Sequence, residues 1–417
     1  MLFFAAAFCS SQQVTPVQPS LTWDQIKAKF EAANPSLRAD ALGVDEMKAA
    51  EITAFLRPNP QLTVATDGTQ IARHNGVWQP LAGTQYQGNL SYLHERDRKR
   101  ELRQESAKEG TQIAGSQRAD LERNLLFDLR SQFVETLEAK AVLEIAKADL
   151  TYYDNIIRIS CDRFRAGDIA QLDLDRIELL RVQYEAEIQT AIVNLHTSKI
   201  ELLQLLNDRT PVEQFDVTGA FDFTDDLKPL DDFRQIALDE RPDLRAALES
   251  IKQAQTNHKL ANANGSTDPT FSAWYTFNPS FNNPNDQQTL GLSASIPLRI
   301  FDRNQGEKKR TQIDIDRNQQ LTEATRAQVF SDVDSAYAQV ESSITLLRPY
   351  KAQYKDQALR VRDAVTYSYQ HGGASLMDFL NAQSEYRAVE LAYQQLIGSY
   401  LTAAGQLNLA VGREVIQ

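Results

Sequence analysis

Apolar residues recur at helical spacing over very long stretches of this chain. Between Asp97 and Asp162 there is no proline, and Leu121, Leu125, Leu129, Phe133, Leu137, Ala141, Ile145 and Ala148 fall on one stripe. The pattern predicts one helix over 97–162, about 100 Å long at ~1.5 Å per residue. A Gly-centred turn, Arg165-Ala-Gly-Asp168, ends it. A second helix over 170–207 then carries Ile177, Leu180, Tyr184, Ile188, Ala191, Leu195, Leu202 and Leu205 at the three, four and seven spacing of a coiled-coil seam. So short a connection makes the two helices antiparallel neighbours with Gly167 at the tip.

The design repeats. Asn34-Pro-Ser-Leu-Arg-Ala39 is answered by Arg241-Pro-Asp-Leu-Arg-Ala246, Asp97-Arg98 by Asp302-Arg303, and Arg165-Ala-Gly167 through Asp173 by Gln370-His-Gly372 through Asp378. Matched spacing across three landmarks points to an internal duplication. The first repeat covers 21–210, with a short helix at 36–56, a β-hairpin at 60–94 and helices at 97–162 and 170–207. An acidic, helix-poor linker fills 211–228. The second repeat covers 229–417, with a short helix at 243–263, a β-hairpin at 269–299 and helices at 302–369 and 375–411.

Strand-like alternation occurs only between the short and the long helix of each repeat. Phe271, Ala273, Tyr275 and Phe277 alternate with Thr270, Ser272, Trp274 and Thr276, and Leu290, Leu292, Ala294 and Ile296 alternate with Gly291, Ser293 and Ser295. Asn278 to Asp286 forms the loop between them. Leu62, Val64 and Thr66, then Tyr86, Gly88, Leu90 and Tyr92, play the same part in the first repeat, around a loop near His74 to Gly83. One apolar and one polar face per strand is what a membrane β-barrel needs. Four strands cannot close a barrel, and an open edge in lipid leaves backbone groups unpaired, so the chain is expected to associate. Three copies supply twelve strands; two supply eight.

Composition modifies this picture in three ways. The 417 residues hold 44 Lys and Arg against 56 Asp and Glu, a net charge of −12, which disfavours a nucleic-acid surface. Arg96, Arg98, Lys99, Arg100 and Arg103, echoed by Arg303, Lys308, Lys309 and Arg310, are interspersed with acids and read as a solvated face. Two cysteines, Cys9 and Cys161, make no disulfide framework or zinc site. The five histidines, His74, His94, His196, His258 and His371, show no ligand spacing, and there is no GxSxG, P-loop or HExxH. No catalytic, cofactor or metal constellation is expected, and hence no enzyme. Residues 1–20 read as a signal-peptide remnant with an extension; Cys9 either accepts a lipid or leaves with the signal.

The stretches Arg241-Pro-Asp-Leu, Ser295-Ile-Pro-Leu-Arg-Ile-Phe-Asp-Arg-Asn-Gln-Gly306 and Tyr369-Gln-His-Gly-Gly-Ala-Ser-Leu-Met-Asp-Phe-Leu-Asn-Ala-Gln383 resemble those of TolC-family outer-membrane factors. The second is similar to the CzcC-like, heavy-metal branch, while Leu90 to Asp97 departs from that branch's proline-containing form. The resemblance implies a mainly α chain with a small β part: a homotrimer whose four strands per chain build a 12-stranded barrel in outer-membrane lipid, above a periplasmic α-barrel. It implies a passive exit duct that works with a periplasmic adaptor (membrane fusion) protein and an inner-membrane RND-type pump, for metal cations, drugs or a type I secretion substrate. A non-channel periplasmic coiled-coil adaptor would explain the helices but not the strands.

For the site, the resemblance implies a periplasmic constriction at Asp378, with Asp173 its first-repeat counterpart. Three such carboxylates near an axis repel one another and attract cations. Asn381 stands where a second acid is common, Ala374 where some members carry Arg, and Leu376, Met377 and Phe379 are available as an apolar plug. The tips, with Arg165, Gly167, Asp168, His371, Gly372 and Gly373, are the expected adaptor-docking points. Asp173 and Asp378 also suit the first turn of a helix for purely structural reasons.

Overall fold

The computed structural model describes residues 20–73, 75–81, 83–279 and 287–416. Cys9 with the N-terminal segment, His74 and most of the 278–286 loop lie outside the described residues. In chain order the elements are α1 (Trp23–Ala33), α2 (Pro35–Phe55), β1 (Gln61–Asp67), β2 (Gln85–Leu93), α3 (Lys99–Ala166), α4 (Gln171–Leu205), a 3₁₀ turn (Val212–Gln214), α5 (Leu230–Glu240), α6 (Pro242–Ala263), β3 (Thr270–Phe277), β4 (Gln288–Ser295), α7 (Gln305–Pro349), a π-helical turn (Tyr350–Tyr354), α8 (Lys355–Gln370) and α9 (Leu376–Val411). Two compact units result. Among the described residues, the hairpin unit comprises those up to Arg38, Leu121–Arg241 and those from Val329 on; the sheet unit comprises those of Ala39–Asp120 and Pro242–Gln328.

Two features differ from the expected pattern, and proline explains both. Each short helix is preceded by another, α1 before α2 and α5 before α6. The break falls at Asn34-Pro35 and Arg241-Pro242, where Asn34 and Arg241 are extended at ψ 121° and 122°. A residue before proline is pushed out of the helical region, and proline then suits the first position of the next helix. The helix expected over 302–369 is likewise not uniform: it is α7, one π turn and α8. Pro349 supplies no N–H and crowds the carbonyl four residues back, so the ladder widens there for one turn. Its counterpart α3 runs unbroken for 68 residues.

In the hairpin unit, α3 with α4 and α8 with α9 form the two expected hairpins. The buried core beside α1 joins Ile26, Phe30, Leu129, Phe133, Leu202 and Val217. The linker is pinned rather than loose. Lys140 and Lys199 hold Asp216 at 2.6 and 3.1 Å, Lys351 holds Asp222 at 2.8 Å, Arg348 holds Asp225 at 2.6 Å, and Tyr400 shares a 2.9 Å hydrogen bond with Thr224. Its acidic composition therefore serves to fasten the strap across the helices.

In the sheet unit the strands form one antiparallel sheet in the order β1-β2-β3-β4. Its register sorts the side chains. Leu62 faces Leu90 and Thr66 faces Tyr86; Tyr86 faces Phe277, Gly88 faces Tyr275 and Tyr92 faces Phe271; Tyr275 faces Leu290 and Ala273 faces Leu292. All alternating apolar positions thus share one face, which is exposed: Val64, Leu290 and Leu292 each keep 76% of their area accessible. Gln87, Asn89, Ser91, Ser272, Thr276, Ser293 and Ser295 share the other. There Trp274 lies over Gly291, its direct partner, and a Cβ at 291 would overlap the indole.

Candidate functional site

The hairpin ends are built by a motif that needs glycine. After α3, Gly167 takes φ 84°, its N–H donates to the Phe164 carbonyl at 2.9 Å, and Asp168 N–H donates to the Arg163 carbonyl at 2.9 Å. After α8, Gly372 takes φ 78°, with Gly372 N–H to Tyr369 at 3.2 Å and Gly373 N–H to Ser368 at 2.8 Å. These are two copies of one Schellman stop, with left-handed glycine at the position that satisfies orphan helix carbonyls. Around them Arg165 pairs with Asp162 at 3.0 Å, and the His371 ring donates from Nδ1 to the Tyr367 carbonyl at 2.8 Å.

The two ends then share one core. Tyr153, Ile156, Ile177, Tyr184, Tyr369, Leu376 and Phe379 pack together, Tyr369 stacks on Phe379 at 5.0 Å, and Arg163 donates to the Tyr369 carbonyl at 2.7 Å while lying over its ring. Two residues expected in an apolar plug are therefore spoken for: Phe379 is 1% exposed and Leu376 8%. Helical geometry turns both inward, and only Met377 of the three points to solvent.

Asp378 begins α9 as half of a capping box. Ser375 N and Oγ donate to its carboxylate at 3.1 and 2.7 Å, and Asp378 N–H returns a bond to Ser375 Oγ at 3.2 Å. The Ser375 side-chain and backbone hydrogen bonds hold the Asp378 carboxyl below its ordinary value, so it stays ionised in mild acid. In the first repeat the equivalent position is Ala170, which has no side-chain oxygen, and α4 starts without a side-chain cap. Asp173, at the third position of α4, is half-exposed. Asp378, Asn381 and Glu385 lie on one exposed face of α9 at helical spacing. Glu385 lies two turns past Asp378, and its only signal in the sequence is that i+7 spacing.

A second exposed pattern runs along α4. Leu172, Leu179, Ala186, Val193 and Ile200 recur every seventh residue and all face solvent, Leu179 at 71% exposure. The buried seam of α4, through Leu174, Ile177, Tyr184, Ala191, Leu195 and Leu202, is a different one. So α4 carries two apolar seams, one satisfied within the chain and one not.

No group of three or more His, Cys, Asp or Glu among the described residues is placed to hold a metal ion. No helix among them is long and apolar enough to cross a membrane.

Comparison with known proteins bears on this arrangement. Residues 233–413 match the family of outer membrane efflux proteins. Over 99% of its length the chain is 22% identical to the cobalt-zinc-cadmium resistance protein CzcC of Cupriavidus metallidurans, of which 96% is covered. Over 74% of its length it is 24% identical to the pyoverdine export outer membrane protein OpmQ of Pseudomonas aeruginosa, covering 65% of that protein. The fold is that of CusC, a transmembrane channel, with a TM-score of 0.77 over 94% of this chain and 92% of the other at 17% identity.

Proposed function

We propose that the chain is an outer membrane efflux protein, as the match over residues 233–413 and the fold support, and that three copies form the exit duct of a tripartite efflux system. The observation that carries this reading is the sheet register. One continuous face of the four strands is apolar and exposed, the other polar, and β1 and β4 are left as the sheet's two edges. Pairing β4 of one copy with β1 of the next removes every edge, and twelve strands enclose a water-filled lumen lined by the Gln, Asn, Ser and Thr face. The unsatisfied seam of α4 supports the same association: helices of neighbouring copies pack along it as they do in other coiled coils. The sheet lies in the outer membrane and the helical hairpins in the periplasm.

Transport through such a duct is passive. Energy and substrate choice belong to an inner-membrane pump of the RND type, and a periplasmic adaptor docks at the exposed tips around Gly167 and Gly372. For the cargo, the full-length likeness to CzcC favours divalent metal cations, and the net charge of −12 suits a lumen that tolerates them. OpmQ is a pyoverdine export protein, so a pyoverdine-like cargo is the second reading.

In the trimer, Asp378 from three copies forms a ring of ionised carboxylates at the periplasmic entrance. In planar bilayers, Asp378→Asn is expected to weaken block by divalent cations and lower cation selectivity. Unchanged block would remove Asp378 from the constriction and leave it a helix cap alone.

A further inference from the structure

Three charged side chains meet inside the hairpin unit, well away from the tips. Asp149 of α3 is 8% exposed, Glu187 of α4 27%, and both pair with one guanidinium, Arg387 of α9, which also lies over the Tyr184 ring at 5.1 Å. Arg387 Nε is 3.3 Å from Asp149 Oδ2, and its other arm touches Glu187 Oε2. Neither contact is an aligned hydrogen bond: Asp149 Oδ2, Glu187 Oε2 and Arg387 Nε are buried without a hydrogen-bond partner. Two carboxylates therefore share one cation in a mostly dry site, with a net negative charge left over.

The neighbours do not cancel that charge. On α3 itself Tyr152 and Tyr153 are adjacent. From α4 come Tyr184 and Glu187, from α8 Arg362, and from α9 Tyr386, Arg387 and Glu390. Arg362 is engaged by Asp363 at 2.7 Å, and Glu390 by Lys355 at 3.8 Å. Nor is the cluster part of the duplicated framework. At the repeat spacing set by Gly167 and Gly372, Asp149, Glu187 and Arg387 correspond to Tyr354, Ala392 and Val182, none of them charged at neutral pH. None of the three charges has a charged counterpart in the other repeat, and they meet where α9 of the second hairpin packs on both helices of the first.

We propose that Asp149, Glu187 and Arg387 form a proton-operated clasp between the two hairpins, closed when Asp149 carries a proton and loosened when it is ionised. With Asp149 neutral, Arg387 has one carboxylate to satisfy and the buried charge balances. Burial pushes the Asp149 carboxyl up to about 6, against the opposing pull of Arg387 and with help from Glu187. The sign follows. Separation of the hairpins returns Asp149 to its ordinary value of 3.8, so the packed form holds a proton that the separated form releases. The stabilisation is full below pH 3.8 and is lost as pH rises to about 6. A duct carrying this clasp packs its hairpins more tightly in an acidified periplasm and yields them more readily at neutral pH.

The clasp rests on the fold of the hairpin unit, not on conduction, and its test is chosen to match. Amide exchange of the intact protein in detergent is followed across pH 4.5 to 7.5, with intrinsic rates divided out, over peptides spanning 142–153 and 383–394. Across this window protection is expected to fall with rising pH, by up to about 25-fold if separation exposes Asp149 fully. Asp149→Asn is expected to keep the acid level of protection at every pH. Glu187→Gln, which leaves Asp149 sole use of Arg387, is expected to move the midpoint to lower pH. Protection that is flat with pH in the unmodified chain, or a pH dependence that survives in Asp149→Asn, would overturn the proposal; so would a Glu187→Gln midpoint that stays put or rises.

Discussion

Lys99 is the first residue of α3, where a cation opposes the helix dipole, yet it is 3% exposed. It is there to hold Asp268, two residues before β3. Lys99 Nζ donates to Asp268 Oδ2 at 2.6 Å and to the Ser266 carbonyl at 3.1 Å, Arg96 N–H donates to Asp268 Oδ1 at 2.9 Å, and His94 N–H donates to the Pro269 carbonyl at 2.9 Å. The pair thus fastens the foot of β2 to the foot of β3, joining the two repeats within the sheet unit. Removing one partner of a buried ion pair costs about 3 to 5 kcal/mol. Asp268 keeps 19% of its side-chain area in solvent, so Lys99→Met is expected below that range, at about 2 to 3 kcal/mol. Asp268→Ala should cost more, because it strands a nearly inaccessible ammonium and the Arg96 N–H. The double variant should fall short of the sum by roughly 2 kcal/mol. Burial pushes the Asp268 carboxyl up, but Lys99, the Arg96 N–H and Arg299 outweigh it and hold the group below its ordinary 3.8. The pair's contribution is therefore complete above pH 3.8 and lost as pH falls below it, and Lys99→Met should abolish that acid-sensitive share. The assay is denaturant unfolding in detergent followed by tryptophan emission, with Trp274 in β3 as reporter. A Lys99→Met cost under about 0.5 kcal/mol, or strictly additive variants, would refute the reasoning.

Two further outcomes are expected. Gly291→Val should drive Trp274 off the polar face and cost about 1 to 3 kcal/mol, read as a lower dissociation temperature of the oligomer on unboiled gels, with Trp274→Ala restoring most of the loss. Leu179→Arg, at the centre of the exposed α4 seam, should shift the detergent-extracted protein toward monomer in sedimentation while leaving helical circular dichroism unchanged, since Leu179 packs on nothing essential within its own chain.

Much of this molecule is written in local patterns. The duplication is readable because Gly167 and Gly372 must both adopt a left-handed backbone, and the strands because apolar positions alternate without interruption from Phe271 to Phe277 and from Leu290 to Ile296. Features that depend on which helix meets which were not readable. Leu376, Met377 and Phe379 are apolar residues within one helical turn of sequence, and only the packing of α9 on Tyr369 and Ile177 decides that two turn inward. The breaks at Pro35 and Pro242 had a visible signal, a proline after a residue that must then be extended. The π turn had Pro349, but the width of the disturbance depends on how the next turn recovers its hydrogen bonds. Asp149, Glu187 and Arg387 are ordinary surface types until three helices are aligned, and the same holds for Lys99, which reads as one of a basic run.

In the proposed duct, the exposed apolar face and free edges of the four-stranded sheet are completed by other copies in a membrane. The direct measurement is the mass of the protein extracted with detergent from outer membranes of an expressing cell and released from detergent for native mass spectrometry. The expected species has three times the mass of the 47.0 kDa chain, less any segment removed on export, is found in the outer-membrane fraction and depends on detergent for solubility. A monomer or dimer, or a protein that stays soluble without detergent, would contradict the proposed duct.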